Sequence, residues 1–303
     1  MTPSRDSHYL VPRIDFRSLM AAGTALAVSG LVAVNPVMPA LPASAPPSVQ
    51  LTASLDLFGP WVDIFNTTLA NATEVFDAIK EADFGFPSSL QEAFAAVTFL
   101  GVDIATPEGS ELAAQTLDWS HLWGLQYLAG MDMGMGVVPV EAAEPAATIL
   151  TLLSSPLSGV LMGLIGPLVS PGVELINSVG SIVDSLGGGD FEAAVQELLA
   201  TPANMVGAFF NGATLNLDAL VPMLNDALQV PEGNAVLGAS FDFGGLFTPG
   251  ATDSGSIGGS IYNSLGLDLQ MVGMGMPYSA PGEGVGLIAS LVSLVEMFAG
   301  GMS

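Results

Sequence analysis

The 303-residue chain has no cysteine, four Lys and Arg residues together, and two histidines. Without cysteine, disulfides and thiolate metal sites are excluded. That absence fits export but does not require it. Three of the four cations, Arg5, Arg13 and Arg17, precede the first hydrophobic stretch; after residue 45 the single cation is Lys80, against 27 carboxylates. One lysine cannot build a basic patch, so nucleic-acid binding is excluded, and so is attraction to anionic headgroups. Nearly all of these acids must be hydrated, cap helix N-termini or meet external cations.

Motifs that carry chemistry are equally scarce. No G-x-S-x-G occurs, and past residue 45 His121 is the sole histidine, so a Ser-His-Asp triad would have to be assembled around it. Its surroundings, DWSHLWG, read instead as a packed amphipathic helix with a partly buried histidine. The glycines of GEGVG, from Gly282, lack the preceding strand and the spacing of a dinucleotide fingerprint. With so many carboxylates and no spacing signal, no acid–base pair stands out. No catalytic, cofactor-binding or metal-ligating residue is assigned, and no enzyme is expected.

What is present is apolar. Hydrophobic residues make up 50% and charged residues 11%, with a mean hydropathy of +0.59. A typical soluble domain carries roughly 25% charge, and disorder goes with low hydrophobicity, so the chain is expected to be folded or membrane-associated. Residues 1–45 have the form of a secretory leader. The basic stretch before residue 18 leads into the uncharged Leu19–Val34 run, five prolines between Pro36 and Pro47, and an Ala43-Ser44-Ala45 triplet. The other reading is an uncleaved anchor, because Pro46 is a poor residue to follow a cleavage site. Residues 46–303 are expected to form a single, mainly helical exported domain.

Along that domain the period is helical. Trp61, Ile64, Phe65, Leu69, Phe76 and Ile79 recur at three- and four-residue spacings. PSSLQEAFAAVTFL, opened by Pro87, is a second helix. TPEGSELAAQTLDWSHLWGLQYLAG is a third, with Trp119, Trp123 and Tyr127 on one face. From Pro145 to Val173 there is no Asp, Glu, Lys, Arg or His, a run longer than the roughly 20 residues that span a bilayer. Pro145, Pro156, Pro167 and Pro171 punctuate it, and each tends to end a helix or start one. The reading is therefore short helices buried in a soluble or peripheral bundle, where an aspartate at Leu164 disrupts folding. Asp190 is a good N-cap, Thr201-Pro202 is expected to stop that helix and start another, and Asn211-Gly212 closes the pair. Short strands such as ASFDF are expected within 233–282, and GLIASLVSLVEMFAG is a last helix. The fold class is mainly α: a bundle of short, Pro/Gly-punctuated helices with a few short strands in the C-terminal third.

Three minor patterns have ordinary explanations beside functional ones. GMDMGMG at 130–136 and MVGMGMP at 271–277 hold six of the 14 methionines; Met131, Met133 and Met135 share a face if extended and suit Cu(I), or soft apolar packing. Gly159-x-x-x-Gly163 matches the small-xxx-small pattern of closely packed helices. Asn66 and Asn71 head glycosylation sequons in mid-helix.

QLTASLDLFGPWVDIFNTTLANATEVFDAI, DFEAAVQELLATPANMVGAFFNGATLNLDALVPML and GLFTP…GGSIYNSLG together resemble the GjpA-type outer-membrane porin family of mycobacteria and related mycolic-acid actinobacteria. The resemblance runs from about residue 20 to the C-terminus and implies export to the envelope and passage of small hydrophilic solutes. It supplies no catalytic residues. The implied partners are the mycobacterial cell envelope or outer membrane, cations, and further copies in a homo-oligomer. A transmembrane barrel needs several alternating segments of about ten residues, which this chain lacks. A pore would therefore be lined by assembled helices, and surplus carboxylates would make it cation-selective. The alternative is a secreted or envelope-attached helical protein with a binding or structural role and no pore.

Overall fold

The computed structural model of the chain describes residue 56 and residues 58–81, 95–128, 146–228, 235–270 and 277–300. The leader, the methionines of both clusters and most of the helix expected from Pro87 lie outside these residues. The described residues are mostly helical, with a four-stranded antiparallel sheet in the C-terminal part. In chain order they form α1 (Gly59–Glu81), α2 (Pro107–Ala113), α3 (Trp119–Leu128), α4 (Ala146–Leu153), α5 (Pro156–Gly187) and α6 (Phe191–Asn211). Then come β1 (Ala213–Asn216), a 3-10 turn (Asp218–Leu220), α7 (Val221–Leu228), β2 (Ala235–Phe243), β3 (Leu265–Gln270), β4 (Tyr278–Ala280) and α8 (Leu287–Gly300).

Caps explain most boundaries. Thr106 accepts a hydrogen bond from Gly109 N at 3.1 Å and Pro107 fills the first position of α2. The single helix expected from Thr106 onward is split in two. The Asp118 carboxylate accepts from Ser120 N at 2.6 Å and His121 N at 2.9 Å, so this aspartate caps a new helix instead of continuing the old one. As a result Trp119 lies exposed while Trp123 is buried, and the expected aromatic face is not shared. Ser155, followed by Pro156, opens α5. Asp190 caps α6 as expected, accepting from Ala193 N at 2.9 Å. Gly212 ends it at φ +90°, where an added Cβ would run into the Phe243 carbonyl.

Prolines do not divide the apolar run as its sequence suggests. α5 continues for 32 residues through Pro167 and Pro171, and α6 continues through Pro202. Five interior glycines and two internal prolines cost α5 on the order of 10 kcal/mol by propensity alone, so the helix exists because of what it packs against. Local chemistry helps. Gly166 has no Cβ to clash with the Pro167 ring, and Ser170 Oγ donates to the Gly166 carbonyl at 2.8 Å.

The sheet has the order β1-β2-β3-β4, all antiparallel. Thr214 faces Asp242 across β1 and β2, and a bulge between Val236 and Gly238 interrupts the β2–β3 ladder. The expected ASFDF strand is the second half of β2. α5 lies against β1, β2, α6 and α8. One apolar core gathers Phe99, Leu117, Leu122, Leu125 and Met297; a second gathers Val75, Met162, Ile257, Val285, Ala289 and Val292, joining α1, α5 and α8.

The small residues of α5 lie at its tightest contacts. A Cβ at Gly159 would collide with the Gly259 carbonyl, one at Gly163 would come within 2.8 Å of Leu287 Cα, and one at Gly166 would collide with the Gly244 carbonyl. Gly172 has nothing within 4 Å of its Cβ position. Gly166→Ala should therefore destabilise the fold by roughly 1–3 kcal/mol through overpacking. Gly172→Ala should stabilise it by about 0.5–1 kcal/mol through helix propensity. Urea unfolding of both variants checks the pair, and equal effects would contradict the packing described.

Candidate functional site

Helix α5 is built with its polarity reversed. Its inner face holds Ser158, Gly159, Gly163, Gly166, Ser170 and Ser178, all buried. Its outer face holds Leu157, Leu161, Leu164, Ile165, Leu168, Leu175, Ile176 and Val179, all exposed, with Leu168 at 78%. From Leu157 to Gly180 no exposed residue of α5 has a polar side chain. That stripe is about 35 Å long at 1.5 Å per residue. The exposed residues of α6 are Phe191, Val195, Leu198, Leu199, Pro202 and Val206, again without a polar side chain. Gly188 and Gly189 turn the chain between the two helices, so α6 runs back along α5 and extends the apolar face. Monomeric soluble surfaces rarely carry contiguous apolar patches beyond a few hundred Å². Small residues inward and large aliphatics outward is the arrangement of helices packed in lipid.

Leu164 is thus corrected. The expectation that an aspartate there disrupts folding assumed burial, but Leu164 is 51% exposed and a carboxylate at this position reaches out from the fold. By length and apolar composition α5 passes the test for a membrane-crossing helix, although 44% of its most apolar window is buried in the protein. Lipid can therefore meet α5 on one face while the other stays packed. Of Gly159 and Gly163, whose spacing suggests close helix packing, Gly163 provides it against the start of α8, whereas Gly159 meets the loop backbone at Gly259.

Polar groups gather in the seam between α5 and α6 and beneath the sheet. Glu174 accepts weakly from Asn177 Nδ2 at 3.4 Å, and that amide also donates to the Thr214 carbonyl at 3.0 Å. Asn204 Nδ2 approaches Glu197 Oε1 at 3.4 Å. Asn71, in the second sequon, donates to Asn211 Oδ1 at 3.0 Å and so joins α1 to α6. A polar cavity of about 320 Å³ opens beside it, with Thr214, Asp242, Thr248 and Glu283 among its walls.

His121 is buried at 4% exposure, deeper than the partly buried position expected. Its Nδ1 lies 2.7 Å from Asp118 Oδ2 and its Nε2 lies 2.7 Å from the Leu265 carbonyl, which ties α3 to β3. Both partners carry acceptor oxygens, so the ring bridges the Asp118 carboxylate and the Leu265 carbonyl. Ser120 donates its hydroxyl to Asp118, not to the ring, so these three side chains are not arranged as nucleophile and base. Among the described residues no group of three or more His, Asp or Glu is placed to hold a metal. The GEGVG segment does follow a strand, β4, contrary to expectation. The loop is nevertheless closed by backbone. Glu283 N donates to the Asn263 carbonyl, Gly286 N to the Thr248 carbonyl, and a Cβ at Gly284 would sit 2.9 Å from Gly244 N. No phosphate cradle is left.

Burial governs the inner acids. Burial raises Asp242, partly countered by a hydrogen bond with Thr214. Burial also raises Glu283, helped by the charges of Asp118 and Asp242, and burial raises Glu296. Burial pushes the Tyr278 hydroxyl, which donates to the Ser120 carbonyl, up to about 12. Asp118 is the exception. Burial would raise it, but hydrogen bonds from His121 and Ser120 and the His121 charge outweigh that, and its net shift is downward.

No family model, no curated protein and no solved structure matches the chain. The functional reading therefore rests on this geometry.

The acids also set a pH profile. Asp242, Glu283 and Glu296, raised in the folded state, contribute stability that is complete below the ordinary carboxylate value and lost as pH rises through their raised values. Asp118, lowered, contributes stability that is present above the ordinary value and lost as pH falls through its lowered one. Tm should rise as pH falls from 7 toward the ordinary carboxylate range, then drop below it. Asp118→Asn should lower Tm near neutrality and flatten the acid drop. Thermal unfolding followed by circular dichroism across this range checks both, and a Tm independent of pH would contradict them.

Proposed function

We propose that the chain is an exported cell-envelope protein that turns the outer face of α5 and α6 toward lipid. In this reading it acts as a porin-type component through which small hydrophilic solutes pass with a preference for cations. The observation that supports it is that every fully exposed residue of α5 from Leu157 to Gly180, and of α6, is apolar or glycine. An apolar face of that size in water is costly at about 25 cal/mol per Å², and contact with lipid removes the cost. The resemblance to mycobacterial outer-membrane porins points the same way.

The pore in this reading forms between copies. The described sheet is open, since β1 and β4 each pair on one side among the described residues, so these four strands close no barrel. Carboxylates facing a passage between copies would favour cations. The second reading, a secreted or envelope-attached helical protein with a binding or structural role and no pore, is favoured by the same open sheet and by the burial of one face of α5.

Washing native envelopes with carbonate and with high salt tests the lipid seat. Retention is expected, and recovery in the washes or the culture filtrate would overturn it. Leu164→Asp with Leu168→Asp should release the protein while leaving its near-UV circular dichroism unchanged. Cation-selective conductance steps in a planar bilayer are expected of the porin reading; their absence leaves the second one.

A further inference from the structure

We infer that the α5–α6 face takes an uncharged lipid surface and is held off anionic ones by the carboxylates at its turn and along its seam. The inference rests on the lipid reading above and adds the class of lipid. Helices that lie in a membrane interface usually combine an apolar face with flanking Lys or Arg that meet anionic headgroups. This face has the first feature and the reverse of the second. Asp184 is exposed on α5 four residues beyond the apolar stripe, and Glu192 stands in the first turn of α6. Glu174 and Glu197 are half-buried along the seam between the two helices. Among the described residues the one Lys or Arg is Lys80, on α1 and paired with Asp77 at 2.5 Å.

The same charges argue against a second copy as the occupant. Two such faces pressed together would enclose carboxylates from both chains with no base on either to balance them, which is costly in a desolvated contact. A neutral headgroup layer accepts the aliphatic stripe and leaves Asp184 and Glu192, beside the turn between the helices, hydrated. Each basic residue near an anionic surface is worth about 1 kcal/mol of attraction. Acids so placed act with the opposite sign, over a distance that shrinks to about 3 Å in molar salt.

Co-sedimentation of the purified full chain tests this, with vesicles of phosphatidylcholine alone and of phosphatidylcholine with an equal part of phosphatidylglycerol. At low ionic strength, partitioning onto the anionic vesicles should be weaker by about tenfold or more. Molar salt should close the gap. Combining Glu174→Gln, Asp184→Asn, Glu192→Gln and Glu197→Gln should narrow it at low salt and leave partitioning onto phosphatidylcholine unchanged. Equal or tighter partitioning of the unmodified chain onto the anionic vesicles at low salt would overturn the inference, whether or not the fourfold variant folds. Binding to neither vesicle would overturn the lipid reading itself, and this inference with it.

Discussion

The close approach of backbone to backbone along one side of α5 is the contact on which the rest of the molecule depends. Gly159, Gly163, Gly166 and Ser170 follow one another at helical spacing and meet the chain at Gly259, at Gly286–Leu287 and at Gly244. Most of the partners are glycine too, so helix and loops meet without side chains between them. Such contact draws on dispersion and shape more than on the burial of large side chains. It fixes where α8, the sheet and the 244–260 segment can sit. Apart from Met162 and Val173 it leaves little room inside for the large apolar residues of α5, and most of them go outward.

That inversion connects the fold to the proposed role. In a soluble helix the large residues would face the core and the outside would be charged. Here the inside is small and the outside is aliphatic, and α6 repeats the pattern on its exposed surface. On α5 and α6 the acids are confined to the turns next to Gly188–Gly189 and to the seam between the helices, where hydrogen bonds or water can meet them. Asp118 shows what is needed to hold one of them ionised within the fold: a histidine, a serine and two backbone N–H groups converge on a single carboxylate. Asp242 and Glu283 lack such a set, and burial lifts them.

Much of this was legible beforehand. The helical period of α1, the Asp190 cap, the Gly212 stop, the ASFDF strand and the final helix all follow from local spacing and capping chemistry, which act within a few residues. The small-xxx-small pair on α5 was legible as well, though not its partner. The outward apolar stripe was present as Leu157, Leu161, Leu164 and Leu168 at three- and four-residue intervals. It was missed because the opposite face, built of glycine, serine and proline, is nearly as uncharged, so hydropathy did not separate in from out. The prolines pointed the other way, toward breaks.

The sequence by itself determined a mainly helical, anionic chain with no cysteine, too few cations to bind nucleic acid, and an uncharged stretch long enough to matter. Tertiary structure alone decided that Pro167, Pro171 and Pro202 are carried inside continuous helices, that Asp118 divides one helix into two, and that Leu164 faces outward. The reason is one of scale. A proline's cost of about 3 kcal/mol is a local quantity readable at its own position, whereas the packing that offsets it is contributed by residues nearly a hundred positions away, such as Gly244 and Gly259. Which side of a helix is inside depends on those partners and not on the helix.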